Sequence, residues 1–591
     1  MRQRILALAA VAAVLCGLLA GCKTAATDAT PDASSGAAPE VAVLKTPEKP
    51  ADAIDPLSEE AGGAVLYVED LEVTGTEAPD RLTGFGLGVR LNPGLPYDFA
   101  CHIAEDGTVS GVLPAGIDLS AVIPTFYYSG REVRLNGQPL VSEQSTMDLT
   151  APVTLELIDP DGGKHEIPVK LQTLYTGLPS VALTTNNLSP VTSKTETVPC
   201  TFYVGGGDPA CCPYAMERPL RTTAQTRGRG NSSWKQEKKG YAVNLDHASA
   251  LLDMPSARKW ALVANYEDKT LLRNYVADYV TAQTELDSTL SVRPVDLWYN
   301  GEYWGTYNLC ERVSINPARV NITEQKDVSE LEPSQVAYLF EFDGHVNEVP
   351  NQQRKGWQSV GGVAYYDPET DETFMKLTIG GKWITIKQPE HDQLTPEMAK
   401  YVRVIINQTC TALKKGDWET IQANMDVRSF VQWYLIEEFM NNTDSSMHSS
   451  VFMYLDVGGK LTMCTPWDFD RSSGNCDYWN AEEVPDSLYT STAGWFSYLF
   501  QCKEAREMLK AEWESFRQKL ENIGDVVDND ARMLSLSQQY NFKKWNILRR
   551  RVGVNPEEVV RANTYDKQVA ILHDYLTRRL DSMDTFIRGL S

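Results

Sequence analysis

Apolar and polar residues alternate with two different periods along the chain. Between about Gly63 and Gln172, short alternating runs such as "EVRLNG" and "PVTLELIDPDGGKHEIPVKL" are separated by the turn sequences "NPG", "NGQ" and "PDGG". A period of two indicates strands with one buried face, and closely spaced turns are typical of a β-sandwich. In the clearest hairpin, Asp-Gly-Gly suits the positive φ angles of a tight turn. We therefore predict an immunoglobulin-like β-sandwich scaffold over residues 63–172.

After "TGLPSVALTT" the pattern mixes strands with segments of helical period. "YEDKTLLRNYVADYVTAQTEL" and "DVRSFVQWYLIEEFMNN" place their apolar residues at helical spacings, namely Leu271, Leu272, Tyr275, Val276 and Tyr279 in the first and Phe430, Trp433, Tyr434 and Phe439 in the second. From about Ala493 to Leu590 nearly all of the chain favours helix. The fold class is therefore predicted as α+β, with one domain over residues 177–590 and a helical C-terminal part.

The N-terminal segment has the layout of an export signal. Residues 1–22, "MRQRILALAAVAAVLCGLLAGC", carry two arginines before an apolar run that ends in small residues. "LLAGC" resembles a bacterial lipobox, in which cleavage leaves Cys22 at the N-terminus carrying lipid. An ordinary signal peptide or a membrane-spanning anchor is the alternative. We predict an exported lipoprotein, held at the membrane surface of the bacterial envelope by lipid on Cys22.

Residues 23–62 are rich in Ala, Thr, Asp, Ser and Pro, as in "TAATDATPDASSGAAPE", and their low apolar content predicts a disordered tether. The whole chain has 79 acidic and 55 basic residues and a net charge of −24, which opposes nucleic-acid binding. Its 11 cysteines form no CxxC pair, so a zinc ribbon or a disulfide scaffold is not predicted.

A basic segment stands out in this acidic chain. "RTTAQTRGRGNSSWKQEKKGYAVNLD", Arg221 to Asp246, interleaves arginines and lysines with glycine and serine. Glycines let backbone N–H groups approach an anion, and a lysine on the following strand can reach phosphate oxygens. The P-loop pattern is absent. The segment is a candidate phosphate site, and the alternative is a basic surface hairpin.

A second segment brings carboxylates together. "FMNNTDSSMHSSVFMYLDVGGKLTMCTPWDFD" predicts a helix end, a strand, a Gly-Gly turn and a second strand. Asp468 and Asp470 are two residues apart, so on an extended segment they share a face and could bind one hard cation such as Mg²⁺. Asp444 could accept a proton from an attacking hydroxyl. The alternative is a pair of aspartates that only caps a turn.

Seven motifs together resemble a known family. They are "RGRGNSSWKQEKKGYAVNL", "NYEDKTLLRNYVADYV", "NGEYWGTYNLCERV", "VAYLFEFD", "ITIKQPE", "NNTDSSMHSSVFMY" and "PWDFD". Their order and spacing between about Leu178 and Ile587 are similar to those of the CotH (spore coat protein H) kinase-like family. The resemblance implies an atypical protein-kinase-like fold that binds ATP with Mg²⁺ or Mn²⁺ and phosphorylates serines of secreted or surface proteins.

The resemblance also implies roles for single residues. It makes Asp444 the catalytic aspartate, and it makes Asp468, and after it Asp470, the metal ligands. Lys238 or Lys239 would bind the α/β-phosphates of the nucleotide, and Arg227 would support the phosphate loop. Glu311 would lie near the nucleotide. One departure is visible. Where an Asn-rich run is expected after the catalytic aspartate, this chain has His448, Ser449 and Ser450. One metal or phosphate ligand of the family is therefore in question.

Two other functions compete with the kinase. ATP is scarce outside the cytoplasm, which favours a catalytically silent surface lipoprotein that serves adhesion, carbohydrate or protein binding, or envelope structure. Retention of Asp444, Asp468 and the lysine pair favours the enzyme. A glycosidase needs carboxylates about 5–9.5 Å apart on two sides of a sugar. Asp468 and Asp470 are too close in sequence for that role without a third segment.

Overall fold

The computed structural model describes residues 41–590 except 71–80, 288, 345, 347–348, 350–352, 378–380, 479–485 and 487. The predicted signal peptide, Cys22 and the first part of the predicted tether lie outside these residues. Helices and strands are both present, with an all-β N-terminal region and a helical C-terminal region, so the α+β prediction is confirmed. Nowhere in the described part of the chain is a helix both long and apolar enough to cross a membrane.

The N-terminal region is a sandwich of two sheets around an apolar core that includes Phe85, Leu113 and Leu157. Sheet β1-β3-β2-β6 faces sheet β4-β5-β10-β9-β7-β8, with strands β1 (Gly63–Ala64), β2 (Leu82–Leu87), β3 (Phe99–Ala100), β4 (His102–Ile103), β5 (Val109–Leu113), β6 (Thr125–Tyr128), β7 (Glu132–Leu135), β8 (Gln138–Leu140), β9 (Val153–Ile158) and β10 (Lys164–Thr173). β9 and β10 form the predicted hairpin, with Lys164 opposite Ile158.

A closed barrel follows the sandwich. Its order is β11-β12-β13-β14-β15-β17-β16, from β11 (Pro179–Thr185), β12 (Val198–Gly206), β13 (Met216–Arg229), β14 (Gly240–Leu251), β15 (Met254–Val263), β16 (Val292–Tyr299) and β17 (Glu302–Glu311). The barrel closes where β11 pairs in parallel with β16, with Leu183 opposite Tyr299. Val243, Leu262 and Leu309 are fully buried in its core. The helix α1 (Arg273–Thr281) lies between β15 and β16 in the chain.

The last part of the chain combines a sheet with helices. The sheet β19-β20-β21-β22-β18-β23-β24 comprises β18 (Tyr338–Phe342), β19 (Gln358–Val360), β20 (Ala364–Asp367), β21 (Glu372–Lys376), β22 (Trp383–Gln388), β23 (Val451–Leu455) and β24 (Leu461–Met463). The helices are α2 (Pro396–Lys415), α3 (Trp418–Asn424), α4 (Val427–Met440), α5 (Gly494–Leu499), α6 (Lys503–Lys519), α7 (Ile523–Met533), α8 (Ser537–Lys544), α9 (Glu557–Arg561) and α10 (Tyr565–Gly589). The predicted helical C-terminal part is therefore present.

The sandwich and the barrel share a core. Trp298 and Tyr303 of the barrel and Tyr540 of α8 are buried among the sandwich residues. Tyr203 donates from its hydroxyl to the Ala115 carbonyl at 2.9 Å. At Gly116, φ is +84° and an added Cβ would come within 2.5 Å of the Gly206 nitrogen, so only glycine allows this approach. The sandwich is therefore attached to the barrel by buried packing.

Residues 41–62 also pack against the fold. The Leu44 N–H donates to Asn529 Oδ1 at 2.8 Å, and Asn529 Nδ2 donates to the Ala42 carbonyl at 3.1 Å. Asp55 forms an ion pair with Lys543. This differs from the tether predicted through residue 62, because average composition does not register a few specific contacts. The ordered strap, residues 41–62, leaves only residues 23–40 of the predicted tether, which lie outside the described residues.

Candidate active site

Helix α4 places the loop that carries Asp444. It begins after Asp426, whose side chain accepts a hydrogen bond from the Ser429 N–H, and nearly all of its residues are buried. It ends at Asn441, which adopts φ 48°, a left-handed conformation that asparagine tolerates at a helix C-terminus. The loop that follows leads into β23 and β24, the predicted hairpin. Asp444 therefore lies in the loop between a buried helix and β23.

Asp468 lies in the loop after β24 and has an unusual backbone. Its φ of 72° is rare for a residue other than glycine, and such conformations persist only where neighbouring contacts hold them. Asn442 Nδ2 donates to the Asp468 carbonyl at 3.3 Å, and the next amide, of Phe469, donates to Asn274 Oδ1 at 2.9 Å. The Asp468 side chain is exposed, and its Oδ2 accepts from Ser450 Oγ at 3.2 Å.

Asp470 is in a more crowded environment. Burial raises the pKa of its carboxyl well above the usual range, and the charges of Asp468 and Glu267 raise it further, with Arg471 opposing them. An opposite charge placed beside this pair would reverse the shift. The predicted proximity of Asp468 and Asp470 is therefore accompanied by an excess of negative charge.

Arg471 connects these acids to the basic segment. Its guanidinium donates to both oxygens of Glu267, at 3.0 and 3.2 Å, and to Asp444 Oδ2 at 3.4 Å. It also donates to Ser232 Oγ, in the glycine-rich turn between β13 and β14, at 3.1 Å. The sequence interpretation missed both Arg471 and Glu267. The signals available were an arginine directly after "WDFD" and an acid in "NYEDK".

Glu437, near the end of α4, is a further carboxyl that the sequence interpretation missed. It is fully buried, and neither of its oxygens has a hydrogen-bond partner among the described residues. The same holds for Asn442 Oδ1 and Ser445 Oγ in the following loop. Burial raises the pKa of Glu437 well above its usual range, the nearby polar side chains of Ser445 and Asn442 oppose that shift, and the charge of Asp468 adds to it. A group of unsatisfied oxygens therefore lies near Asp468.

Comparison with protein-family models places this chain in a family. The model described as CotH kinase protein matches residues 226–583, which is more than half of the 591 residues. The chain belongs to the CotH kinase family. No curated protein matches the chain at the level required for significance. The predicted family resemblance is thereby confirmed, and the matched region contains Asp444, Arg471 and the Asp468–Asp470 pair.

The acids of this CotH-family site can be compared with what a divalent cation requires. Across the described residues, no group of three or more His, Cys, Asp or Glu side chains is placed to hold a metal ion. Mg²⁺, however, is usually bound by one or two carboxylates, with water and substrate phosphates as its other ligands. Asp468 and Asp470, with their surplus of negative charge, fit that smaller donor set.

The CotH-family chain does not bring every predicted residue to these acids. Lys238 is buried, and its Nζ donates to the Ala264 carbonyl at 2.8 Å, to Asn541 Oδ1 at 2.9 Å and to the Thr306 carbonyl. Burial lowers its pKa well below the usual range, and Asp296 opposes that shift. All three of its ammonium protons are therefore directed at protein oxygens.

The other predicted nucleotide contacts are also engaged within the protein. Lys239 Nζ donates to the Trp234 carbonyl at 2.8 Å and to the Gln236 carbonyl at 3.0 Å. Glu311 accepts from Arg319 Nε at 2.8 Å and from the Ser291 N–H at 2.9 Å. Arg227 is half-buried and donates to the Lys194 carbonyl. The nucleotide roles of these residues stay predictions.

Proposed function

We propose that this CotH-family protein is an exported atypical protein kinase, anchored by lipid on Cys22, that transfers phosphate from Mg·ATP or Mn·ATP to serine hydroxyls of surface or secreted proteins. The observation that carries the proposal is the junction at Arg471, which contacts Asp444, Glu267 and the glycine-rich turn directly after the Asp468–Asp470 pair. Three segments with the chemistry of phosphoryl transfer therefore meet at one place.

The order of elements supports an atypical protein-kinase-like fold. In protein kinases a glycine-rich hairpin comes first, then a catalytic loop with its aspartate, and then a loop whose aspartate holds Mg²⁺. Here the β13–β14 turn comes first, then Asp444 after α4, and then Asp468 after the β23–β24 hairpin. This correspondence supports a role for Asp444 at the acceptor hydroxyl and a role for Asp468 at the metal.

The reaction follows from these positions. The Asp444 carboxylate takes the proton of the serine hydroxyl, whose oxygen bonds to the γ-phosphorus while the bond to the β-phosphate oxygen breaks and ADP leaves. Arg471 orients the Asp444 carboxylate by its contact at 3.4 Å. A divalent cation on Asp468 and Asp470 would offset the charge of the phosphates. Glu267 fixes Arg471 through two contacts on one edge of the guanidinium.

A catalytically silent surface lipoprotein is the second candidate, and one observation favours it. His448, Ser449 and Ser450 stand where the family is expected to supply asparagine, and the Ser450 hydroxyl donates to the exposed carboxylate of Asp468. A serine hydroxyl is a weaker ligand for a cation than an amide oxygen. In this reading the site would bind a protein or polysaccharide without turnover.

The two candidates differ in their response to substitution. Asp468→Asn removes a ligand charge and should weaken Mg·ATP binding. Asp444→Asn should leave binding within a few-fold and lower turnover by about 10²–10⁴, because loss of a general base acts on the transition state. The measurements are calorimetry with Mg·ATP and transfer of labelled phosphate to the protein itself or to casein-like acceptors.

Asp392→Asn is the matched control. Asp392 is exposed and follows the end of β22. Phe342 pairs with both Ile384 and Val451, so β22 and β23 begin at the same end of the sheet. Asp392 therefore lies at the other end, away from the loop that precedes Val451. It should change neither quantity. Binding and turnover that are indifferent to both site variants would refute the kinase assignment. Tight Mg·ATP binding without any transfer by the unmodified protein would favour the silent lipoprotein.

A further inference from the structure

The outer face of the barrel carries a row of small side chains. Arg227 pairs with Ala242, Ala242 with Ala261, and Ala261 with Cys310, so these four positions form one row across β13, β14, β15 and β17. The neighbouring positions Val243, Leu262 and Leu309 point into the barrel core, and alternation along a strand places the row on the outside. The row ends at an arginine.

Trp467 joins this face to the metal-binding loop. It packs against the small cluster formed by Ala261, Val292 and Cys310, and it immediately precedes Asp468. The Arg229 guanidinium carbon lies 5.3 Å from the centre of the Trp467 ring. Stacking on an indole orients a guanidinium and leaves its edge free for an oxygen acceptor. Arg229 is therefore held against the residue that immediately precedes Asp468.

Arg312 continues the positive charge one residue beyond the end of β17. Burial, together with the charges of Arg229, Arg227 and Arg319, lowers the pKa of its guanidinium to about 10. Glu341 opposes the shift, but its carboxylate is bound by Lys387 at 2.8 Å. Half-buried like charges that lower the pKa of one another destabilise a fold unless an anion offsets them.

These arginines lack the partners that other arginines of the chain have. Within the described residues, no hydrogen bond or ion pair links the guanidinium of Arg229 or Arg312 to a carboxylate, whereas Arg319 is paired with Glu311 at 2.8 Å. In a chain with 79 acidic residues, two half-buried arginines without a carboxylate are an unusual combination. Their planar donor forks match phosphate geometry.

We propose that Arg229 and Arg312, with Arg227 beside them, form an anion site on the outer face of the barrel that binds the phosphoryl groups of the nucleotide next to Asp468. This inference rests on the proposed function, since it names the residues that hold the donor substrate of that site. It replaces Lys238 and Lys239 in that role, because the ammonium groups of both lysines already donate to protein oxygens.

The test compares Arg229→Gln, Arg312→Gln and the charge-conserving Arg229→Lys in the full chain. Arg218→Gln is the control: Arg218 is an exposed arginine on the same strand, 11 residues away, which is about 36 Å at 3.3 Å per residue. Calorimetry at fixed ionic strength would use Mg·ATP, tripolyphosphate, adenosine and a phosphoserine peptide. Thermal unfolding of each variant would confirm that it is folded.

We expect Arg229→Gln and Arg312→Gln each to weaken Mg·ATP and tripolyphosphate binding about tenfold or more, since contacts to charged groups are the stronger class of hydrogen bond. Arg229→Lys should fall between, and Arg218→Gln should have no effect. Tripolyphosphate binding that depends on the arginines supports the site even if no transfer activity exists. If neither variant changes Mg·ATP binding, the anion site is overturned and the kinase proposal stays intact. An effect that is confined to the phosphoserine peptide has the same meaning.

Discussion

Two neighbouring glutamates on α4 are both fully buried, but their surroundings differ completely. Glu438 faces α10 and accepts from Arg579 at 2.8 Å and from the amides of Tyr489 and Ser491 at 2.7 and 2.9 Å. Glu437 faces the Asp444 loop, and neither of its oxygens has a hydrogen-bond partner. A buried carboxylate that is fully paired holds elements together, whereas a buried carboxyl whose oxygens lack partners costs free energy, which the fold tolerates at its functional side.

The same difference separates larger regions of the molecule. In the interior, Arg273 donates to Asp268 at 2.5 Å and to the carbonyls of Ser472 and Ser473, which fixes the chain just after the acidic loop. On the outer face of the barrel, the Arg229 guanidinium lies over the ring of Trp467. Within the described residues it forms no ion pair with a carboxylate. The number of satisfied donors therefore distinguishes structural arginines from those placed for a ligand.

The largest expected effect is at the paired glutamate. Arg579→Met leaves the Glu438 carboxylate buried without its cation, which should lower the free energy of unfolding by about 3–5 kcal/mol. Urea denaturation followed by tryptophan fluorescence measures this change. A loss smaller than about 1 kcal/mol would show that the pairing of Glu438 does not stabilise the fold.

Lys238 comes next in size. Lys238→Met removes the donor for the Ala264 and Thr306 carbonyls, so the free energy of unfolding should fall by about 1–3 kcal/mol. Mg·ATP affinity of the folded variant should stay within a few-fold of the unmodified protein. A variant of normal stability that has lost Mg·ATP affinity would return Lys238 to the phosphate-binding role predicted from the sequence.

A third prediction concerns a buried carboxyl that carries no opposite charge. Burial, together with the charge of Asp278, raises the pKa of Asp530 to about 8. The folded state therefore holds a proton that the unfolded state has lost, so stability falls as the pH rises from about 4 to about 8, by at most about 1.4 kcal/mol per pH unit. Asp530→Asn should flatten this slope. A melting temperature with the same pH dependence in both proteins would contradict the raised pKa.

The smallest effect is expected at the glutamate without partners. Burial raises the pKa of the Glu437 carboxyl well above its usual range and so favours the neutral form, and Glu437→Gln replaces this carboxyl by a neutral group of the same size. The free energy of unfolding at pH 7 should change by less than about 1 kcal/mol, in contrast to Arg579→Met. A loss comparable to that of Arg579→Met would mean that Glu437 is ionised and paired, and the contrast within α4 would disappear.

Local patterns predicted local elements well. The predicted hairpin around "LIDPDGGKHEIPVKL", the predicted helix that corresponds to α4 and the predicted β23–β24 hairpin are present, because each depends on side chains close in sequence. The helix predicted around Leu271 begins only at Arg273, since the Asp268 carboxylate binds the amides of Thr270 and Arg273 and holds Leu271 at φ 61°. Periodicity alone does not detect such a cap.

Long-range pairings could not be predicted in the same way. Closure of the barrel depends on Leu183 meeting Tyr299, and the central contact of the site joins Glu267 to Arg471, 204 residues later. The predicted acids Asp444, Asp468 and Asp470 share a short stretch of sequence and so were visible as a group. The burial of Lys238 depends on Asn541, from a distant helix, and so no local pattern could have revealed it.

The shared core of sandwich and barrel limits how the domains of this protein can be exchanged during evolution. The family match starts at residue 226, inside β13, so a gene fragment cut there would lose β11, β12 and most of β13. Residues 226–229 of β13 would still pair with β14, but this short remnant and β16 would then be the unpaired edges of an open sheet. Trp298 and Tyr303 would also lose the sandwich that covers them. Recombination could therefore replace this sandwich only by a domain whose own side chains bury Trp298 and Tyr303.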